Sequence, residues 1–343
     1  MRKLLNTLYV TTPDAYLSRD GLNVVVLVKN EEKFRIPIHN IEGIVTFGYM
    51  GASPALMSLC AENNVAVHFL TEFGKFCGRV SGPIRGNVLL RRQQYRMADN
   101  KDICLKIAQN CIAAKIANCR NVVHRVIRDH GNENNISALN TVLNLLNNRI
   151  KQCFTVENID KLRGIEGDAA NEYFSVFNLF ILNQNESFRM NGRSRRPPLD
   201  NVNAMLSFCY VLLAHEVQSA LETVGLDPYV GFLHTDRPGR PSLALDLMEE
   251  LRPYLADRLV LSLINRKQVL PNGFKNQEGF GIVMDDSTRK EILSAWQKRK
   301  QDTITHPYIN EQIEVGLIPY VQALLMARYI RGDIDGYPPF IMK

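Results

Sequence analysis

Three segments carry side chains that could do chemistry together. The first is 158–177, NIDKLRGIEGDAANEYFSVF, which contains Glu166. Leu162, Ala169, Ala170 and Tyr173 lie three, four or seven residues from Glu166, so helical spacing places this carboxylate on the face to be buried. A carboxylate there is costly unless a cation, a metal or hydrogen bonds compensate it, and an arginine partner is the plain structural account. Asp168 and Glu172 point elsewhere and read as solvated. The second and third segments adjoin in YVGFLHTDRPGRPSLALDLMEELRP, residues 229–253. A short apolar run ends at His234, a turn with Pro238, Gly239 and Pro241 follows, and Ser242 is placed to cap a new helix. Asp246 and Glu249 are three apart and share a helix face, whereas Glu250 is rotated toward Leu243 and Leu247. One imidazole, two carboxylates on one face and a distant glutamate make a mixed nitrogen and oxygen set. Such a set suits Mg²⁺ or Mn²⁺ with positions open to water and phosphate oxygens. A stray histidine beside an ordinary charged helix face fits the same spacing, and spacing alone leaves both readings open.

Basic clusters occur at Arg91-Arg92 with Arg96, at Arg193-Ser194-Arg195-Arg196, at Arg237 with Arg240, and at Lys298-Arg299-Lys300. Each alone reads as a solvated face. Arg237 and Arg240 lie between His234 and Asp246, however, and the arginine loop follows the Glu166 helix. Basic groups beside a metal-type cluster suit phosphate substrates. His215 follows the apolar run 205–214 and reads as a hydrogen-bonded core histidine. The chain has no GxGxxG, GxxxxGK[ST] or GxSxG, so dinucleotide binding, P-loop chemistry and α/β-hydrolase chemistry have no support.

These side chains need a scaffold, and 343 residues suffice for two domains. Residues 1–86 read as a β domain. Short Val, Ile, Phe and Tyr-rich runs at 5–10, 15–19, 22–28, 33–38, 43–48, 65–70 and 76–81 are separated by turn signals. The pattern predicts an antiparallel sheet or small sandwich, interrupted by a helix at Ser53–Asn64, where Ser53 caps and Pro54 suits the first turn. Gly82–Asn87 is the expected boundary. Residues 87–343 then read as a larger all-α domain, giving an α+β protein, with helices at 137–152, 159–181, 201–224, 243–265, 287–301 and 308–331. Asn183–Pro198 reads as a mobile basic loop and Gly332–Lys343 as an extended tail. Hydrophobic residues are 45% and charged residues 22%, with a net charge of +6, which excludes wholesale disorder and leans mildly toward polyanions. No run approaches about 18 uninterrupted apolar residues, and the N-terminus lacks the h-region of a signal peptide. Seven cysteines without CxxC spacing fit reduced thiols in a cytoplasm.

Four stretches in order resemble one known family. Arg163-Gly164-Ile165-Glu166-Gly167 resembles its glutamate motif. Arg196-Pro197-Pro198-Leu199-Asp200, running into Val202–Phe208, resembles the signature that opens its central helix. Gly231-Phe232-Leu233-His234 resembles its histidine motif and Ser242–Glu250 its acidic motif. The family is the CRISPR-associated integrase and endonuclease of spacer acquisition, the first-numbered protein of that antiviral defence system. The whole chain is similar to it, most nearly to the subtype I-C branch. The resemblance implies an N-terminal β domain that dimerises, a helical catalytic domain, and a small ferredoxin-like partner, the second-numbered protein, bridging two homodimers. It implies that Glu166, His234 and Glu249 ligate Mg²⁺ or Mn²⁺, that Asp246 is a further catalytic acid, and that Arg193, Arg195, Arg196, Arg237 and Arg240 meet DNA. Many members have Asp where this chain has Glu249, and Glu250 stands beside it. The implied activity joins the 3′-hydroxyls of a short spacer duplex to phosphodiesters of a CRISPR repeat by transesterification. Alanine at Glu166, His234 or Asp246 is then expected to abolish strand transfer with the fold intact. A stand-alone metal nuclease on branched or single-stranded nucleic acid, and a catalytically silent DNA-binding scaffold, are the rival readings.

Overall fold

The computed structural model describes residues 7–342 apart from Pro13, Glu42, Tyr49, residues 72–75, residues 83–87, residues 132–134 and Asn185. Most of the expected boundary at Gly82–Asn87 therefore lies outside the described residues. The chain clusters into two compact units. One comprises Met1–Arg85 with Met284–Asp302 and Glu314–Leu317; the other comprises Gly86–Val283, Thr303–Ile313 and Ile318–Lys343. Two segments of the expected helical domain thus group with the N-terminal unit.

In the first unit the strands are β1 (Thr7–Val10), β2 (Ala15–Asp20), β3 (Asn23–Val28), β4 (Glu31–Pro37) and β5 (Gly43–Phe47). Helix α1 (Pro54–Glu62) and strands β6 (Ala66–Leu70) and β7 (Phe76–Val80) follow. Strands β2, β3 and β4 form an antiparallel sheet. Lys29 and Asn30, at φ 51° and 65°, make the tight turn between β3 and β4. The second sheet has the order β1-β5-β6-β7, and β1, β5 and β6 run parallel. This corrects the purely antiparallel expectation. The helix read at Ser53–Asn64 is itself the reason, since a crossover helix between β5 and β6 returns the chain to the same end of the sheet. Ser53 caps α1, its Oγ accepting from Leu56 N at 3.2 Å. Leu17, Val24, Ile44, Leu56, Leu59 and Val67 form the core.

The second unit contains α2 (Val88–Ala98), α3 (Lys101–His130), α4 (Ile136–Cys153), α5 (Ile159–Ser175), α6 (Asn201–Thr223), α7 (Ser242–Arg252) and α8 (Arg258–Asn265). Short strands β8 (Phe274–Gln277) and β9 (Gly281–Met284) come next. Helix α9 (Asp286–Lys300) belongs to the first unit and buries Ile292, Leu293 and Trp296 there. Strands β10 (Thr303–Thr305) and β11 (Gln312–Glu314) precede α10 (Ile318–Arg331). The expected helix over 308–331 therefore begins ten residues late, after β11 and a 3₁₀ turn at Val315–Leu317. The expected helix over 243–265 is interrupted at Pro253–Asp257 by a turn of π-type, because Pro253 has no amide to continue the α ladder. The expected helix over 159–181 ends at Ser175, with a 3₁₀ turn at Phe177–Phe180.

Helix α3 is the spine of this unit and packs against α4, α5 and α7. Asn100, Asn158 and Asp200 cap α3, α5 and α6 through side-chain oxygens that accept first-turn amides. Helix α6 alone among the described helices is long and apolar enough to cross a membrane, and it packs against α7 and α10 as a core helix. The stretch Asn183–Pro198 is anchored rather than mobile. Phe188 and Met190 are buried, and Gln184 Nε2 donates to the carbonyls of Ile264 and Val269. The tail is extended as expected, and it is sewn down: Tyr337, Phe340 and Met342 are buried. Asn118 donates to Phe340 O and Asn121 to Met342 O, while Met342 N donates back to Asn118.

Candidate active site

The histidine loop is built around one carboxylate. Asp246, in the second turn of α7, is 1% exposed. Its Oδ2 accepts from Phe232 N at 2.6 Å and Leu233 N at 2.9 Å, and its Oδ1 accepts from His234 N at 3.0 Å. Oδ1 also faces His234 Nδ1 at 2.6 Å. An ionised carboxylate only accepts, so Nδ1 carries the proton, and in the neutral ring Nε2 keeps its lone pair. Asp246 is thus turned onto the loop behind the imidazole, and it fixes both the position and the tautomer of His234. The start of α7 is held unconventionally. Pro241 occupies the cap position, the amides of Leu243 and Ala244 donate to Pro228 O, and Ser242 Oγ donates to Thr235 O. Ser242 therefore opens the helix without capping it, which corrects the sequence expectation.

The loop approaches α7 so closely that only glycine fits at 231. A Cβ there would stand 2.8 Å from Asp246 Oδ2 and 2.8 Å from both the carbonyl carbon and Cβ of Ser242. Gly231→Ala is expected to destabilise the helical unit by about 1–3 kcal/mol through overpacking and to displace the imidazole. Thermal unfolding together with Mn²⁺ titration checks this, and unchanged metal affinity would refute the coupling.

Glu166 and Glu249 meet on a shared cation. Lys115, on the buried face of α3, is ion-paired with Glu166 Oε1 and lies 2.7 Å from Glu249 Oε2. Arg252, one turn further along α7, holds Glu249 Oε1 at 2.8 Å. Burial alone would raise the pKa of Glu249, but Arg252 and Lys115 outweigh it and hold the carboxyl well below its usual range. Burial likewise opposes the Lys115 charge, and Glu249 and Glu166 keep its pKa above the ordinary value. His234 is near enough to act electrostatically on Glu249. Arg163, one turn before Glu166, donates to the carbonyl of Leu233 and so ties α5 to the histidine loop. Glu166, His234, Asp246 and Glu249 are thereby brought into one region, and the partner of Glu166 is a lysine rather than an arginine.

Glu250 is separated from this group. It is fully buried on the opposite side of α7, where its Oε1 accepts from Tyr337 Oη at 2.6 Å and Gln322 Nε2 at 2.8 Å. Its Oε2 accepts from Phe340 N at 3.2 Å. Burial pushes its pKa up to about 8. Glu172 also departs from expectation: it is largely buried, held by two hydrogen bonds from Arg149, which also pairs with the exposed Asp168.

Of the arginines, Arg195, Arg196 and Arg237 are exposed and Arg240 is half-buried. Arg193 is turned inward, where it donates to Asn203 Oδ1 at 2.6 Å and lies over the Tyr210 ring. Arg252 lies over the same ring at 4.9 Å from its centroid, and Tyr210 Oη donates to the buried Asp257 at 2.7 Å. Arg193 therefore supports α6 and the back of the site.

Among the described residues, no three His, Cys, Asp or Glu side chains stand grouped for a metal ion, and Lys115 lies between the two glutamates. The donor chemistry nevertheless fits a hard divalent cation: two carboxylates and an imidazole with a free lone pair. Glu249 Oε2 is buried and its contact with Lys115 falls outside hydrogen-bond geometry, so it retains acceptor capacity. Lys115 and Arg252 were not singled out by sequence, and Arg163 was quoted only as part of the glutamate motif, without a role. Lys115 had a signal, as the one charge inside Cys111-Ile112-Ala113-Ala114-Lys115-Ile116-Ala117.

The family model described as CRISPR associated protein Cas1 matches residues 8–298. The chain is 50% identical to the CRISPR-associated endonuclease Cas1 1 of Chlorobaculum tepidum, over 100% of both chains. Its fold is similar to that of a Cas1 protein from Thermotoga maritima, with a TM-score of 0.83 at 22% identity over 98% of this chain and 100% of that one. It is also similar to a chain of a Cas6-RT-Cas1–Cas2 complex, with a TM-score of 0.84 at 21% identity over 99% of this chain and 36% of that one. On its sequence, its β-then-helical architecture and its ordered motifs, the chain belongs to the Cas1 family, the endonucleases and integrases of CRISPR adaptation.

Proposed function

We propose that this chain joins the 3′-hydroxyl ends of a short DNA duplex to phosphodiesters at a CRISPR repeat, using Glu166, His234 and Glu249 to hold Mg²⁺ or Mn²⁺. The observation that carries this reading is the convergence of two glutamates from different helices on one cation beside an imidazole oriented by Asp246. Glu249 rather than Glu250 is the ligand, since Glu250 faces the tail. The cation would polarise a phosphoryl oxygen and stabilise the attacking or leaving oxygen. Asp246 is a positioning residue that keeps His234 Nε2 available. Arg163 holds the histidine loop to the Glu166 helix. Arg195, Arg196, Arg237 and Arg240 neutralise backbone phosphates near the site. No protein nucleophile is required.

The same reading takes the chain to act in the cytoplasm, as a homodimer bridged by a small Cas2-type partner. Likeness to a chain of a complex that contains Cas2 supports the partner, and seven cysteines outside any disulfide suit a reducing compartment. The resemblance of the four motif stretches is the support for placement in the subtype I-C branch.

The test is transfer of a labelled short duplex into a repeat-bearing plasmid, with Mn²⁺, Mg²⁺ or chelator, and with or without the partner. The expected result is joined product that needs metal and is lost in Glu166→Gln and His234→Ala proteins of unchanged thermal stability. Wild-type joining by the His234→Ala protein would overturn the assignment. Cleavage without joining, with the partner present, would favour a nuclease.

A further inference from the structure

We propose that Lys115 is a resident cation that competes with the divalent metal for the oxygens of Glu166 and Glu249 and thereby sets the metal affinity of the site. The proposal rests on the metal reading above. Lys115 projects from the middle of α3, is 8% exposed and is held within ion-pair distance of both glutamates. Arg252 already takes Oε1 of Glu249, so Oε2 is the oxygen left for another cation, and Lys115 stands on it at 2.7 Å. On Glu166 the same ammonium holds Oε1. An ammonium has three donors and no acceptor, and it cannot share a carboxylate oxygen with a divalent ion without strong repulsion. A metal that takes Glu249 Oε2 must therefore break or loosen its ion pair with Lys115, and one that takes Glu166 Oε1 must loosen that pair as well.

The arrangement has a physical rationale. Two glutamates facing each other in a buried pocket repel and would shift their protonation or splay apart. One lysine holds them close and ionised, as a metal needs to find them. The consequence is a weaker affinity for free metal than the bare donor set would have. When the ammonium is displaced, it becomes a free positive charge on a flexible stem beside the site.

The experiment measures Mn²⁺ binding by electron paramagnetic resonance, with thermal unfolding in EDTA and in Mn²⁺. The proteins are the wild type, Lys115→Met, Lys115→Gln and Glu166→Gln. The expected result is Mn²⁺ binding at least tenfold tighter in Lys115→Met than in wild type, with a larger Mn²⁺-induced rise in Tm. Glu166→Gln should bind at least tenfold more weakly. Unchanged or weaker binding in Lys115→Met, with Glu166→Gln impaired, would overturn the proposal and leave the metal reading intact. Equal binding by Glu166→Gln and wild type would remove the metal reading itself. If Lys115→Met folds only when Mn²⁺ is present, the metal has replaced the missing cation and the proposal is supported. If neither lysine variant folds in either condition, Lys115 is purely structural and the proposal fails.

Discussion

An Asp246→Asn protein is expected to remain folded and to lose strand transfer by roughly 10²–10⁴-fold, the range for a wrong tautomer or a lost partner behind a metal ligand. The carboxamide has one accepting oxygen. Placed at Oδ2, it keeps the amides of Phe232 and Leu233. Its NH₂ then faces His234 N and Nδ1, so Nδ1 must accept and the proton moves to Nε2. The imidazole is thereby closed to a metal, while the His234 amide loses its acceptor. Asp246→Ala is the more disruptive change, because it strands three buried amide donors at about 1–3 kcal/mol each. The sequence expectation that alanine at 246 leaves the fold intact is therefore revised. Thermal unfolding, Mn²⁺ affinity and joined product, measured on both variants, check the argument. Wild-type joining by Asp246→Asn would show that His234 does not act through its tautomer.

Replacing Glu250 by alanine is expected to cost about 1–3 kcal/mol for each buried partner left stranded and to release the tail. The neighbouring Glu249→Gln should lose activity and also stability, because it takes a buried charge away from Lys115 and Arg252. The Glu250 carboxyl receives Tyr337, Gln322 and the Phe340 amide in a fully buried setting. Its pKa, raised by burial to about 8 from an ordinary 4.5, also gives a signed pH dependence. The folded protein retains this proton more tightly than the unfolded chain. The contribution is complete below pH 4.5 and is lost as pH rises through 8, by at most about 1.4 kcal/mol per pH unit. Denaturant unfolding in EDTA should therefore show stability falling from pH 6 to pH 8.5. Glu250→Gln should flatten that slope, although its amide then faces Phe340 N. A wild-type slope of zero would mean that the carboxylate is ionised in place.

Elements with local signals were legible in the sequence. Ser53-Pro54, Asn158 and Asp200 mark helix starts because their side chains satisfy first-turn amides. The strands of the first unit were legible as β-branched runs, but their parallel pairing is a long-range property that no run encodes. The hairpins β8–β9 and β10–β11 have strands of three or four residues, too short for an alternating pattern. At the site, helix spacing separated Glu249 from Glu250. It could not show which neighbour each would meet, because Lys115 comes from 51 positions before Glu166 and Tyr337 from 87 positions after Glu250. Asp246 shares a face with Glu249 by periodicity, yet its oxygens are claimed by a loop whose path only Gly231 permits.

The stitching of residues 337–342 onto α3 and α7 bears on the order in which the protein is made. The buried side of α7 is completed by Tyr337 and Phe340, which are translated some ninety residues after Glu249. Until they emerge, Glu250 has no Tyr337 or Phe340 partner, and α7 lacks part of the wall that fixes it against α3. Segments fold broadly as they are synthesised, so this side of the acidic helix waits for the tail. A chain that has not yet reached Tyr337 therefore lacks one buried wall of α7, and the tail closes that wall last.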